Sequence, residues 1–460
     1  MQKSSNRFQM PGCNDDTMRD ESTMRLFPKL TEIQLRVAAL VLTVVIFASA
    51  WITHPDHDWS PFSLPAPMTV SGSSNEPPVF ESRFISSSID DVAHSASLAP
   101  LPDGGLIAAW FAGSREGSPS VVIRGARYDP VKKEWGAEFT FVDRALTQRS
   151  VRRHIRKLGN PVIAMAPDDR LWLFYVSVSV GGWAMSSINA MYSDDFGQSW
   201  SAPRRLITSP FFNLSTLVRS APLFHRDGSM GLPVYHEFIG KFAEYLYLDR
   251  DGRIKDKLRI SRGRDAIQAT LVPLSETAAV AMLRYASGTA GNVLFSRTAD
   301  AGRTWSAPQP APLNNQDSSL AAVALGKSGG GILVALNNLP LGRFRLSLFH
   351  TDPELRGWRE LAILDESPDA HGNLIEPARY KALLMEKFLR TGGSRHREMV
   401  DEFLQHLDHR MCRHAAGCEF EYEYPFFLRA ADGRFHLAYT WNNSFIKHVV
   451  FNRAWLESRQ

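Results

Sequence analysis

Cysteine is scarce in this sequence: Cys13, Cys412 and Cys418 are the only three in 460 residues. The Cys412-x5-Cys418 spacing is no metal signature, so cysteine points to no metal centre and to one local bridge at most. Charge of one sign is lacking too, with 52 Lys and Arg against 48 Asp and Glu, a net +4. Those cations are spread rather than striped, which leaves no electrostatic footprint for nucleic acid and only a weak pull on an anionic substrate. Apolar residues at 44% and charged residues at 22% exclude a disordered or fibrous chain. What is plentiful is glycine, 31 residues, and tryptophan, 11 residues. Gly-punctuated, Trp-rich chains build many short strands, and exposed Trp commonly lines sugar sites.

One long apolar run stands near the N-terminus, Val37 to Thr53, close to the lower limit for crossing a bilayer. Lys3, Arg7, Arg19, Arg25, Lys29 and Arg36 precede it, and no Lys or Arg follows until Arg83. The positive-inside rule puts residues 1–36 in the cytoplasm and the long C-terminal part outside. Ala48-Ser49-Ala50 also fits a signal-peptide cleavage site, but the basic tail is long for one, so an uncleaved anchor over 37–53 is expected. Both readings export the remainder, where a Cys412–Cys418 disulfide can persist while Cys13 stays reduced. Residues 54–79, with six prolines, read as a semi-extended linker.

From residue 80 the chain repeats. A tight turn followed by an apolar strand recurs at 102–110, 167–176, 226–235, 274–285, 327–338 and 431–441. Five of the starts lie about 50–65 residues apart, and the longer last gap contains the stretch 376–417. That stretch has helical spacing around Gly392-Gly393 and reads as an αα-hairpin inserted into the repeat. Its histidines, His396, His406, His409 and His414, lack a companion carboxylate pattern, so they read as solvated helix-face residues and no metal or other cofactor is expected. Six units of about four strands predict an all-β, six-bladed β-propeller over 80–460, with a helical insertion and an N-terminal transmembrane helix.

Ser193-Asp194-Asp195-Phe196-Gly197-Gln198-Ser199-Trp200 and Thr298-Ala299-Asp300-Ala301-Gly302-Arg303-Thr304-Trp305 share the pattern S/T-x-D-x-G-x-S/T-W. Each predicts a compact turn in which the Asp accepts amides, Gly supplies a positive φ and Trp packs beneath. Tyr128–Trp135 and Thr351–Trp358 are weaker echoes. With GSREG (113–117), RKLGNP (156–161), LPVYHEF (232–238), Asn337-Asn338 with Arg343, and YPFFLRAADGRFHLAYTW (424–441), the chain over about 85–455 resembles the sialidase superfamily, closest to its divergent bacterial BNR-repeat branch. The two perfect turns are the Asp boxes of that superfamily and imply fold rather than catalysis.

The resemblance implies a site in which arginines hold a substrate carboxylate and a tyrosine, deprotonated by a glutamate, attacks the sugar. Arg284 and Arg343 resemble two of the arginines, and Tyr424 stands where the nucleophile is expected. Three positions depart. His94 occupies the place of the first arginine, Gln268 that of the glutamate, and Ser120 that of the acid expected after GSREG. Proton transfer then falls to Glu116, Glu237 or the pair Glu421 and Glu423, while Arg115, Asn160 and His236 complete the expected lining. The resemblance thus implies a glycoside hydrolase that removes a terminal, acidic or deoxy, sugar from a glycan, and the N-terminal segment implies that it is tethered to the inner membrane with its propeller in the periplasm. Two alternatives remain open, a glycan-binding propeller without turnover and a membrane-tethered assembly factor.

Overall fold

The computed structural model describes residues 31–52, 59–64, 76–89, 92–209, 213–263, 265–289, 291–326, 330–392, 403, 412 and 417–459. Two units separate within the chain, Met1–Asp58 and Trp59–Gln460. In the first, an α-helix spans Glu32–Ile52, 21 residues. It starts five residues before the apolar run because Thr31 and Gln34 cap each other: the Thr31 N–H donates to Gln34 Oε1 (2.8 Å) and the Gln34 N–H to Thr31 Oγ1 (3.3 Å). At about 1.5 Å per residue the helix is roughly 31 Å long, and Glu32–Ser49 has a mean hydropathy of 1.8. It is long and apolar enough to cross a membrane, a property that signal sequences share.

The second unit is a propeller of six antiparallel sheets. The inner strands are Val92–Pro100, Lys157–Met165, Leu217–Val218, Ala266–Pro273, Ala321–Ala324 and Tyr422–Arg429. These define blades one to six. The second strands are Leu106–Gly113, Leu171–Val178, Met230–His236, Ala279–Tyr285, Ile332–Leu336 and Phe435–Trp441, one from each turn–strand repeat in the sequence. The turn chemistry explains the repeat: Gly104, Gly228 and Gly433 take φ of 79°, 84° and 82°, which costs a side chain dearly and glycine little. Blade six is completed from a distance, since Phe80–Phe84 pairs antiparallel with Phe445–Phe451.

Apolar residues pack between blades rather than in one central mass. Ile107 and Phe111 of blade one, for example, meet Leu158, Ile163 and Leu173 of blade two. The Asp boxes cap this packing. Asp195 accepts from Ser193 Oγ (2.7 Å), the Ser199 N–H (2.8 Å) and Ser199 Oγ (2.5 Å). Asp300 repeats the pattern with Thr298 Oγ1 (2.8 Å), the Thr304 N–H (2.9 Å) and Thr304 Oγ1 (2.6 Å). Both boxes join the third strand of a blade to its fourth, with Trp200 and Trp305 against inter-blade cores. The echo at Asp352 is a true relative: it accepts from the N–H groups of Arg356 and Gly357, while Trp358 Nε1 donates to the Leu355 carbonyl.

The insertion begins with a helix, Pro377–Gly392, whose Tyr380, Leu384 and Phe388 are fully buried against Phe84, Trp441 and Phe445. The expected second helix lies, Phe403 apart, outside the described residues, as do His396, His406, His409, His414 and Cys13. Paired N–H and carbonyl groups of Ile375 and Cys418 (2.8 Å each) close the neck of the insertion, and Cys412 and Cys418 form the expected disulfide. Part of the Pro-rich stretch belongs to the propeller. Phe62 is 1% exposed, and Trp59 stacks on Tyr247 with ring centroids 4.3 Å apart. Residues 59–64 are therefore docked on blade three rather than serving as spacer.

Candidate active site

Each blade carries one non-glycine residue with positive φ at or just before its inner strand: Ser95, Asn160, Ser215, Gln268, Asp317 and Tyr424. In blades one, two, four and six the strand register shifts at that point, the mark of a β-bulge. A bulge adds a residue to one strand and re-aims a side chain. Repeated around a ring, it turns six consecutive polar side chains or their neighbours toward one region. The left-handed conformation costs a β-carbon-bearing residue on the order of 1 kcal/mol, so the surrounding fold holds the positions in place.

The result is a hydrogen-bond network that draws on all six blades. From blade two, Asn160 Nδ2 donates to Tyr235 Oη of blade three (3.2 Å). Gln268 Nε2 of blade four donates to the same oxygen (3.2 Å), and Gln268 Oε1 accepts from Arg284 Nη1 (3.0 Å). Arg284 Nη1 also donates to Tyr424 Oη (3.3 Å), and Arg284 Nε and Nη2 meet Asp317 Oδ1 at 2.9 and 2.8 Å. Arg343 Nη2 donates to the Asp317 carbonyl (2.7 Å), and its Nη1 is ion-paired with Glu423. Glu423 Oε1 lies 2.9 Å from His94 Nε2 of blade one. Beneath them Arg219 Nη2 donates to the carbonyls of Tyr424 (2.6 Å) and Pro425 (3.0 Å), and Nη1 to that of Ala96 (3.3 Å).

Burial governs the charges. Desolvation works against the Glu423 carboxylate, yet Arg343 and His94 hold it far below the usual carboxylate range. Burial likewise opposes the Arg343 and Arg284 charges, and Glu423 and Tyr424 for the first, Tyr424 and Asp317 for the second, outweigh it. Arg219, with only carbonyl partners, is drawn down by desolvation to about 10 and keeps its charge at neutral pH. Glu237 follows the second strand of blade three, its N–H donating to Ser215 Oγ (2.7 Å). Desolvation raises its pKa, with Arg284 and Lys241 pulling the other way.

Of the positions singled out from sequence, Tyr424, Arg284, Arg343, His94, Gln268 and Asn160 belong to this network. Glu237 is coupled electrostatically to Arg284 and Asp317. His236 is not part of it: its Nδ1 accepts from the Phe238 N–H (3.2 Å), and its ring stacks on Phe242. Arg115 and Glu116 are exposed in the loop after the second strand of blade one. Ser120 in the same loop is tied to Ser114 (2.9 Å) and Ser118 (2.9 Å), a hydroxyl cluster with no acid in it. Sequence reasoning gave no role to Arg219, Tyr235 or Asp317, and named Glu423 only as a displaced acid or base, not as the partner of Arg343. Among the described residues no group of three His, Cys, Asp or Glu side chains is placed to hold a metal.

The sequence profile of the BNR repeat-like domain matches residues 104–437. The chain belongs to that family, as a divergent BNR-repeat member of the sialidase superfamily. No curated protein matches it. Among solved structures it is similar to the Hadza microbial sialidase Hz136, at 13% identity and a TM-score of 0.56, covering 78% of this chain and 65% of that one. This chain thus spans less than two thirds of that protein. The intramolecular trans-sialidase from Ruminococcus gnavus, in complex with oseltamivir carboxylate, is similar at 13% identity and TM-score 0.53 (79% and 95% covered). So is the Penicillium chrysogenum α-L-arabinanase complexed with arabinobiose, at 14% and 0.54 (83% and 99% covered). At such identities the likeness shows the fold, one used by glycoside hydrolases of differing substrate.

Proposed function

We propose that this protein is an exported, membrane-anchored glycoside hydrolase that acts on a terminal sugar of a glycan. The observation carrying the reading is Tyr424: half-exposed, held in a left-handed bulge, its hydroxyl bonded to Arg284, with Arg219 and Arg343 5.3 and 5.9 Å from its ring centroid. The Arg284 guanidinium therefore touches the oxygen on which negative charge develops as it attacks an anomeric carbon, with two further guanidiniums near the ring. The departing glycosidic oxygen takes its proton from Glu237, whose raised pKa keeps it protonated further up the pH scale, while the tyrosine proton leaves to water. Water, deprotonated by the Glu237 carboxylate, then attacks the anomeric carbon and releases the sugar; Tyr424 departs as phenolate and takes its proton back from solvent. Gln268 cannot serve as base, because an amide takes no proton and both its ends are committed. Export is supported by the helix Glu32–Ile52, the basic residues before it and the Cys412–Cys418 bond.

A second reading, glycan binding without turnover, is favoured by Gln268 and by the acid-free cluster at Ser120. Release of reducing sugar from mixed glycans separates the two. Wild type should release sugar, and Tyr424→Phe should lose activity on the order of 10³-fold with binding nearly intact. Undiminished hydrolysis by Tyr424→Phe would exclude the tyrosine mechanism.

A further inference from the structure

Sequence alone offers Arg284 and Arg343 as forks for an acidic sugar. In the folded site neither fork is free. Arg343 is ion-paired with Glu423, a carboxylate whose side chain is 4% exposed and whose other oxygen meets His94 at 2.9 Å. Arg284 presents Nε and Nη2 to Asp317 Oδ1 and Nη1 to Gln268 and Tyr424. Arg219, 2% exposed, is buried beneath the site, its Nη1 and Nη2 donating to main-chain carbonyls and its Nε buried without a partner. A bidentate grip needs two parallel N–H groups on one guanidinium edge, and here the chain's own carboxylates take that place.

The most exposed of these paired charges is acidic, Asp317, ahead of Arg343 at 25% and Arg284 at 10%. The Asp317 side chain is 36% exposed; it and the nearby Glu237 accept hydrogen bonds from sugar hydroxyls, and the ion-paired Asp317 carboxylate repels an anion. Lys241, the cation beside Glu237, donates to the Ala286 carbonyl at 2.6 Å. An acidic ligand would have to evict Glu423 from its pair, stranding a buried carboxylate on a histidine. A polyol needs no such exchange.

Resting on the reading of this site as a glycan site, we propose that it takes an uncharged, hydroxyl-rich sugar, and that Glu423 sets this preference by filling the place of a substrate carboxylate. Matched oligosaccharides ending in neutral or acidic sugars, printed as an array and probed with the full chain at neutral pH and low temperature, test it independently of turnover. Wild type should retain neutral termini at least tenfold better than acidic ones. Glu423→Gln, which frees Arg343, should shift that ratio at least tenfold toward acidic termini. Should that variant not fold, Asp317→Asn, which frees Arg284, should move the ratio in the same direction. A wild-type preference for acidic termini, an unmoved ratio in folded variants, or retention of neither class would overturn the proposal. Released sugar is measured separately: neutral binding without release removes the hydrolase and leaves this inference standing, while hydrolysis of acidic termini does the reverse.

Discussion

At the scale of single residues, Glu237 carries the clearest pH signature. Its pKa is raised first by burial, and in the proposed mechanism it is the proton donor and works while protonated. Activity should fall as pH rises through that elevated value. Glu237→Gln should lower kcat and abolish the alkaline limb, whereas a merely structural glutamine swap would shift amplitude and leave the limb in place; a kcat–pH profile decides. What sequence reasoning missed was the backbone device that gathers the site. Ser95, Asn160, Ser215, Gln268, Asp317 and Tyr424 have equivalent backbone geometry, yet six different local sequences. A left-handed bulge is imposed by the ring and leaves no common motif. Tyr424 and Gln268 were legible because the resemblance placed them. Asp317, within the polar run Asn314–Ser319, and Arg219 carried no local signal.

At the scale of elements, local chemistry was readable because it closes within a few residues. The Asp boxes illustrate this: every acceptor role of Asp300 is filled from Thr298 to Thr304. Asp300→Ala removes charge-assisted bonds and should cost about 2 kcal/mol of stability, seen as a lower denaturant midpoint, with sugar binding unchanged. A loss of binding with unchanged midpoint would contradict a purely structural box. The helix Pro377–Gly392 was legible for a different reason, its 3.6-residue apolar stripe, and the stripe is spent on blade six. Phe388, fully buried among Phe84, Phe403 and Phe445, should cost about 3–5 kcal/mol when truncated to alanine; a loss below 1 kcal/mol by chemical denaturation would mean the helix is not docked through it. What the stripe could not disclose was its partner, since periodicity gives a face and not an address.

At the scale of the molecule, blades one and six meet through a buried histidine pair. Trp135 Nε1 donates to His448 Nδ1 (3.2 Å), which fixes the remaining His448 proton on Nε2, 3.0 Å from His436 Nδ1. Desolvation lowers both, His436 to about 4, with Arg83 pressing on each, Arg434 also opposing the His436 charge and Asp432 partly offsetting it. Both rings are neutral when folded, so the unfolded chain binds more protons between its ordinary value of about 6.5 and the folded value. Stability should therefore fall as pH drops through that window, for His436 by on the order of 3 kcal/mol. His436→Gln should flatten the slope; an unchanged slope would place the acid sensitivity elsewhere. Compartment is testable on the same scale. Cys412 and Cys418 should resist thiol labelling until reduced while Cys13 labels freely, and equal labelling of all three would count against export.

The strand Phe80–Phe84 and the strands from Tyr422 to Phe451 complete one sheet between them. A chain emerging N-terminus first holds an open arc of five blades, with a lone strand waiting for partners more than three hundred positions downstream. Tyr424 and Glu423 lie on one of those same partners, so the network around them is complete only when the ring shuts. The network proposed as the site is therefore incomplete until residues 422–451 have joined the strand Phe80–Phe84.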